Sequence, residues 1–262
     1  MDIPEEAGTF LAGVHDLEAF HARGFFVRRD VFTAAEIEVL RRAFDRLEVA
    51  ARRFSEPTLH GGASFVVHGD RIDRIVWCGA AEPVLLEVGA DPRLLTLAAE
   101  LLGSAEMSQL INQAHFKLPG DGVAFPWHQD STHRRYGTPE WKDVNGRGSY
   151  VQTVLALDDV TEENGPLEFL PGSGRRGHLG LQNGALPADL DPSSAVAATM
   201  RAGSVLVFGP YAVHRSLPNR SRHPRRVLIN GYAYPGANAR VYPGEGAGRT
   251  LRYTGARRRL AG

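Results

Sequence analysis

The chain's ten histidines and thirty acids come together in a chemically suggestive way at one short run, Phe125-Pro-Trp-His128-Gln-Asp130. In an extended segment, side chains two positions apart project to the same side, so His128 and Asp130 can aim an imidazole nitrogen and a carboxylate at one point. A third ligand must come from elsewhere. His214, in Gly209-Pro-Tyr-Ala-Val-His214-Arg-Ser, follows the strand-like Ser204-Val-Leu-Val-Phe208 and is the best candidate. Two imidazoles and one carboxylate on one face of a metal leave the other positions open, the facial arrangement of non-haem Fe(II) oxygenases. By itself a His-x-Asp tripeptide arises often by chance, and a lone histidine is more often a hydrogen-bonded structural residue. The surrounding text has to carry the argument.

Other motifs fall away. Gly172-Ser-Gly174-Arg-Arg-Gly177 matches a dinucleotide-binding pattern, but His178-Leu-Gly-Leu-Gln-Asn-Gly184 beyond it does not read as the helix that such a site needs. Asn219-Arg-Ser221 matches a glycosylation sequon with nothing else to suggest secretion. The single cysteine, Cys78, excludes an intrachain disulfide and a thiolate metal cluster.

The elements that must position His128, Asp130 and His214 follow from patterning. Thr33-Ala-Ala-Glu36 is a capping box opening an amphipathic helix with Ile37, Leu40, Phe44 and Leu47 on one face. Asp91-Pro92 opens a second helix, Arg93 to Leu102, closed by Gly103. Residues 55–80 give only a weak strand signal, around Ser64-Phe-Val-Val67. From residue 105 the texture changes to short β-type runs: Met107–Asn112, His115–Leu118, Ser149–Leu157, Pro166–Leu170, Val196–Met200, Ser204–Phe208 and Arg226–Tyr234. Helices first and short strands afterwards predict an α+β fold with an antiparallel sandwich or barrel. We expect one domain over 1–262, with a mainly helical flank at 1–104, the β core at 105–235 and a C-terminal extension at 236–262.

At this point the sequence resembles the phytanoyl-CoA dioxygenase-like family of Fe(II)/2-oxoglutarate-dependent oxygenases. The matching stretches are Lys117-Leu-Pro-Gly-Asp-Gly with Pro126-Trp-His-Gln-Asp130, Leu155 through Gly174 with its Glu-Glu-Asn-Gly-Pro, Ala202-Gly-Ser-Val-Leu-Val-Phe208 leading to His214, and Leu217-Pro-Asn-Arg-Ser-Arg-His-Pro-Arg225. Phe20-His-Ala-Arg-Gly-Phe-Phe-Val27 resembles the family's opening. The resemblance runs from about residue 15 to 235. It implies a double-stranded β-helix, a jelly-roll or cupin-like core, with flanking N-terminal helices. It also implies Fe(II) as cofactor, held by His128, Asp130 and His214, with 2-oxoglutarate and O2 as cosubstrates.

Arg225, eleven residues after His214, matches the arginine that holds the far carboxylate of 2-oxoglutarate, a task suited to a planar, permanently charged guanidinium. Arg226 is its competitor, and in a strand only one of the two can enter the site. Ser216, Lys117, Gln113 and Gln152 are further candidates for cosubstrate contacts. The family usually has His where this chain has Gly174, a turn position away from the expected ligands. The acid at Asp130 favours hydroxylation, since related halogenases carry a small residue there.

The polar, glycine-bearing segment 131–149 follows Asp130 directly and reads as a lid. His133, Arg134, Arg135, Trp141, Lys142 and Arg147 make it basic with an aromatic, so we expect it to close over a small polar, anionic metabolite. Two other functions compete: a catalytically silent binding protein on the same scaffold, and a nucleic-acid or protein modifier. The latter draws on charge. Residues 201–262 hold twelve arginines and one acid, Glu245, a local balance of 12 − 1 = +11 that leaves −11 for the first 200 residues of a neutral chain. These arginines alternate with apolar residues as in folded structure, which argues against nucleic acid as a partner. The acidic start and the absence of a long apolar run predict a cytoplasmic protein with no membrane partner.

Overall fold

A computed structural model describes residues 14–181, 184–242, 244 and 247–254. The Arg257–Arg259 tail lies outside the described residues. The helices are α1 (Val14–Arg23), α2 (Ala34–Ala51), α3 (Pro83–Gly89), α4 (Pro92–Leu102) and the single turn α5 (Asp130–His133). The strands are β1 (Phe25–Arg28), β2 (Thr58–His60), β3 (Ala63–His68), β4 (Arg71–Val76), β5 (Glu106–Lys117), β6 (Phe125–His128), β7 (Tyr150–Ala156), β8 (Leu167–Phe169), β9 (Val196–Ala197), β10 (Val205–Phe208), β11 (His214–Ser216), β12 (Arg225–Ala233) and β13 (Arg249–Arg252).

The strands form two antiparallel sheets, as a jelly roll requires. The larger runs β1-β10-β7-β12-β5-β4-β3-β2, with β13 also on β5, and the smaller runs β6-β11-β8-β9. Strand alternation gives the larger sheet two different faces. Val151 and Leu155 of β7, Val205 and Val207 of β10, and Leu228 and Tyr232 of β12 join one core cluster with the helices. Val154, Leu206, Phe208, Val227 and Ile229 turn the other way, into a second cluster that includes Phe169 of the smaller sheet.

The helices cover the outer face. Thr33 and Glu36 make both bonds of the capping box on α2, a device worth about 1 kcal/mol. Ile37, Leu40, Phe44 and Leu47 are buried at the expected helical spacing, each contributing roughly 2 kcal/mol of apolar burial. Asp91 caps α4, Pro92 is its first residue, and Gly103 ends it at φ 69°.

The structure departs from expectation in three places. The two runs at 107–118 are one strand, β5, because Gln113 and Ala114 continue the ladder with β12 and β4. The weakly patterned 58–76 region forms β2–β4 and extends the larger sheet, so three strands interrupt the mainly helical flank. Along β3 buried positions alternate with more exposed ones. Finally, α3 buries Leu85 and Val88 in a helix too short to show a period. No helix among the described residues is long and apolar enough to cross a membrane.

Candidate active site

β6 and β11 are adjacent antiparallel strands, and His128 pairs directly with His214. Gln129 is extended, with φ −120° and ψ 139°, so residues 128 and 130 leave the chain on the same side. Asp130 itself begins α5 rather than continuing a strand. The Nε2 atoms of His128 and His214 each lie 3.9 Å from Asp130 Oδ1, and one ligand atom from each residue falls within 4.8 Å of the others.

Both imidazoles are held by the same local device. His128 Nδ1 lies 2.7 Å from the Pro126 carbonyl, and His214 Nδ1 lies 2.9 Å from the Ala212 carbonyl. A carbonyl only accepts, so Nδ1 carries the proton and the Nε2 lone pair is left for an ion. Burial pushes His214 down to about 3, which keeps it neutral. Burial opposes ionisation of Asp130, but His214 and His128, then Arg134 and His133, outweigh it and hold the carboxyl below its ordinary range. Because His214 is neutral, Arg134 is the permanent charge in that set. Asp130 Oδ2 is buried without a hydrogen-bond partner. An unpaired carboxylate oxygen is costly in such a place, and a divalent cation removes the cost. The donor set fits an iron(II) ion, two neutral imidazoles and one carboxylate with open positions beyond them.

Sequence reasoning missed the residue that fixes this geometry. Gln129 is fully buried; its Nε2 donates to the carbonyls of Gly177 at 2.9 Å and Tyr211 at 2.7 Å, while its Oε1 accepts from Leu179 N at 2.8 Å. It thereby ties the chain between His128 and Asp130 to the loop leading into His214. His178 Nδ1, 2.8 Å from Ser131 Oγ, adds a second tie. The Gly172–Gly177 motif is a turn with a short 3-10 helix at Ser173–Arg176, and no phosphate-binding helix follows it among the described residues.

The triad faces a cavity of about 440 Å³. Arg225 and Lys117 are cross-strand partners on β12 and β5 at one end of it, both buried. Arg225 Nη2 donates to the Gly165 carbonyl at 2.5 Å, its Nε has no partner, and burial pushes the group down to about 10. Lys117 donates to the Leu217 carbonyl. Burial, then the Arg225 charge, pushes it down to about 6. Gly165 has φ 76°, and a Cβ there would lie 2.2 Å from the Leu217 carbonyl oxygen and 3.1 Å from Lys117 Nζ. Arg226 turns to the opposite face, where it binds Asp158 through Nε at 2.8 Å and Nη2 at 3.0 Å, and Asp45 at 2.6 Å. The sequon residue Asn219 is buried, its amide donating to the Lys117 carbonyl at 2.8 Å.

Ser216, Gln113 and Gln152 also line the cavity. Gln113 Oε1 lies 2.9 Å from His115 Nε2, and Gln152 Oε1 accepts from Tyr150 at 2.7 Å. From the segment after Asp130, His133 and Arg134 line the cavity. Arg135, Trp141 and Arg147 do not. Arg135 is exposed at φ 65° and sits 3.8 Å from Glu140. Trp141 is buried against Tyr136, ring centroids 4.6 Å apart, and bridges to Asn238. Arg147 borders a separate cavity of about 550 Å³ beside Phe20 and Arg175, which lacks the metal-ligating cluster. The segment is therefore more wall than open loop, with Ser131, Tyr136 and Ser149 buried. Arg74, His115, Phe125, Arg240 and Tyr242 are also in the lining. No local motif marks them; only strand alternation from Gln113 to His115 to Lys117 could have found one.

The model of the family described as phytanoyl-CoA dioxygenase matches residues 20–227. The chain belongs to the phytanoyl-CoA dioxygenase family. It is accordingly an Fe(II)/2-oxoglutarate-dependent dioxygenase. The family member is 28% identical to an L-proline trans-4-hydroxylase of Streptomyces griseoviridis over 74% of this chain and 77% of that protein. It is 30% identical to an ectoine dioxygenase of Sphingopyxis alaskensis over 60% of this chain, spanning under half, 48%, of that relative. Among solved structures, EvdO2 of Micromonospora carbonacea var. aurantiaca, complexed with 2-oxoglutarate, superposes with TM-score 0.64 at 26% identity, covering 88% of this dioxygenase and 95% of that chain. EctD of S. alaskensis with 2-oxoglutarate and 5-hydroxyectoine gives TM-score 0.68 at 25% identity, covering 88% and 78%.

Proposed function

We propose that this dioxygenase hydroxylates an unactivated C–H bond of a small polar, anionic metabolite, with release of succinate and CO2. The observation that carries the reading is the coexistence, in one cavity, of the His128-Asp130-His214 cluster with its unpaired Asp130 oxygen and of Arg225 with its unpaired Nε. Iron and 2-oxoglutarate, when bound, supply the oxidative decarboxylation that drives hydroxylation. His128, Asp130 and His214 hold the ion, their tautomers set by the Pro126 and Ala212 carbonyls. Arg225 takes the far carboxylate of the cosubstrate, with Ser216 and Lys117 beside it. A planar guanidinium already fixed by Gly165 can offer its remaining donors in one orientation. Gln113 and Gln152 present amides to the bound organic groups. Phe125, Leu167, Phe208, Val227 and Ile229 supply apolar wall that excludes water.

The cavity volume supports the small-molecule reading, since it suits a metabolite beside the cosubstrate. The test is succinate formation by Fe(II)-loaded protein with 2-oxoglutarate across a panel of amino acids and other small anions. The reading requires at least one compound to raise succinate above the level of the His128→Ala variant. No rise with any compound, and no 2-oxoglutarate binding by calorimetry, would point instead to a silent scaffold.

A further inference from the structure

Of the lining arginines only Arg225 has a task so far. Arg134, directly after α5, is 8% exposed, and its Nε and Nη1 have no hydrogen-bond partner. It forms no ion pair with a carboxylate among the described residues. Its guanidinium packs between two aromatic rings, 5.6 Å from the Tyr150 centroid and 5.1 Å from the Tyr242 centroid. Rings of this kind offset part of a cation's lost hydration, but a guanidinium does not shed its charge, so burial without a counter-ion stays costly.

Beside the two tyrosines, the carboxylate that compensates this charge is Asp130. That compensation ends when Asp130 ligates an ion. A divalent ion and a dianionic 2-oxo acid then cancel each other, so loading brings no net negative charge to the remaining lining. That lining is cationic: Arg74, Arg134, Arg225 and Arg240, joined by Lys117 once the dianion favours its ammonium, against the single acid Asp130. Arg225 and Lys117 share the cosubstrate's far carboxylate. Arg74, 6.0 Å from the Phe125 ring, likewise has no ion pair among the described residues. Arg134 is thus left buried, oriented by two rings and lacking an anion.

We propose that Arg134 is the anchor for a carboxylate, or a like oxyanion, on the substrate, with Arg74 as a second cation in the same cavity. This rests on the reading of the site given above and narrows it: the reacting carbon belongs to a molecule whose anionic group sits at Arg134 while its C–H lies toward the triad. Neutral analogues of the same shape leave the guanidinium unpaired and are rejected, as sites built around a buried polar group reject partners that lack its complement.

The test uses Mn(II)-loaded protein saturated with 2-oxoglutarate, titrated calorimetrically with propionate and with propionamide, an anion and its neutral counterpart. Propionate should bind and propionamide should not. Arg134→Gln should weaken propionate by about tenfold or more, Arg134→Lys should retain part of the affinity, and both should bind 2-oxoglutarate as the wild type does. Thermal unfolding of both variants checks folding, and the lysine variant keeps the comparison available if the glutamine variant does not fold. Equal affinity for the two probes, propionate binding unchanged in Arg134→Gln, or loss of 2-oxoglutarate affinity in that variant would overturn the assignment. Failure of wild type to bind Mn(II) or 2-oxoglutarate would instead refute the underlying reading of the site, and this proposal with it.

Discussion

His128 and His214 face each other across one antiparallel strand pair, their ring centroids 4.1 Å apart. That single register brings together two residues eighty-six positions apart in sequence, and Asp130 needs only one extended residue, Gln129, to join them. His214 is further wedged by Phe169 and Phe208, at 5.3 and 4.8 Å. The ligand set is therefore a property of the smaller sheet, and its chemistry should respond to changes in that sheet more than to changes in the helical flank.

Removing a ligand should separate metal binding from folding. Asp130→Ala removes a carboxylate whose neighbours, Arg134 among them, hold it ionised below the ordinary range, so near neutral pH the apo variant should still fold but unfold at a modestly lower temperature than wild type. Its Mn(II) or Fe(II) affinity should fall by at least a hundredfold. Thermal melts with chelator and a metal titration check both halves.

Arg225 and Arg226 should behave oppositely despite adjacency. Arg225→Gln should raise the KM for 2-oxoglutarate by roughly 10- to 100-fold, the value of a charge-assisted hydrogen-bond pair. Arg226→Gln should leave that KM within about twofold and cost about 1 kcal/mol of stability through its lost contacts to Asp158 and Asp45. Steady-state kinetics beside urea unfolding distinguishes the two.

Lys117 predicts two pH effects. Its folded pKa of about 6 lies below the ordinary 10.5, so between those values the unfolded chain binds the extra proton and stability rises with pH across that window. Lys117→Met should flatten the rise and lift the melting temperature of the unliganded protein near neutrality by a few degrees. Because a dianion favours the charged ammonium, 2-oxoglutarate binding to wild type should take up a proton near pH 7. Calorimetry in buffers of different ionisation heat measures that uptake, and the methionine variant should lose it.

Gln129→Leu should damage the site without touching a ligand. It removes three buried hydrogen bonds to the 177–179 and 209–212 loops and leaves carbonyls unpaired, a loss of about 2–3 kcal/mol. Metal affinity should drop together with stability. Gln129→Glu should be no better, since a carboxylate cannot donate to the Gly177 and Tyr211 carbonyls.

Much of this was legible before the fold. The His128 and His214 positions were marked by their neighbours, and α2 and α4 by their caps, because those signals are local. What stayed hidden needed long-range pairing. Arg74 enters the cavity only because β4 lies on β5, and Gln129 matters only through partners about fifty and eighty residues away. The lid reading of 131–149 failed for Arg135, Trp141 and Arg147 because polarity does not reveal that Tyr136 and Trp141 stack and draw the segment inward. The charge segregation likewise resolves only in three dimensions: Arg215 pairs with Glu168, and Arg226 with Asp45 and Asp158, acids of the first 200 residues.

The anchors of the two ligand imidazoles are main-chain carbonyls two residues upstream, at Pro126 and Ala212. A point mutation cannot delete a main-chain carbonyl, so the orientation of the metal-binding rings is insulated from most sequence drift. Arg74, His115, Arg134 and Tyr242 line the same cavity through their side chains instead. Selection can thus rewrite what this cavity accepts, one side chain at a time, while the oxidising centre stays in place.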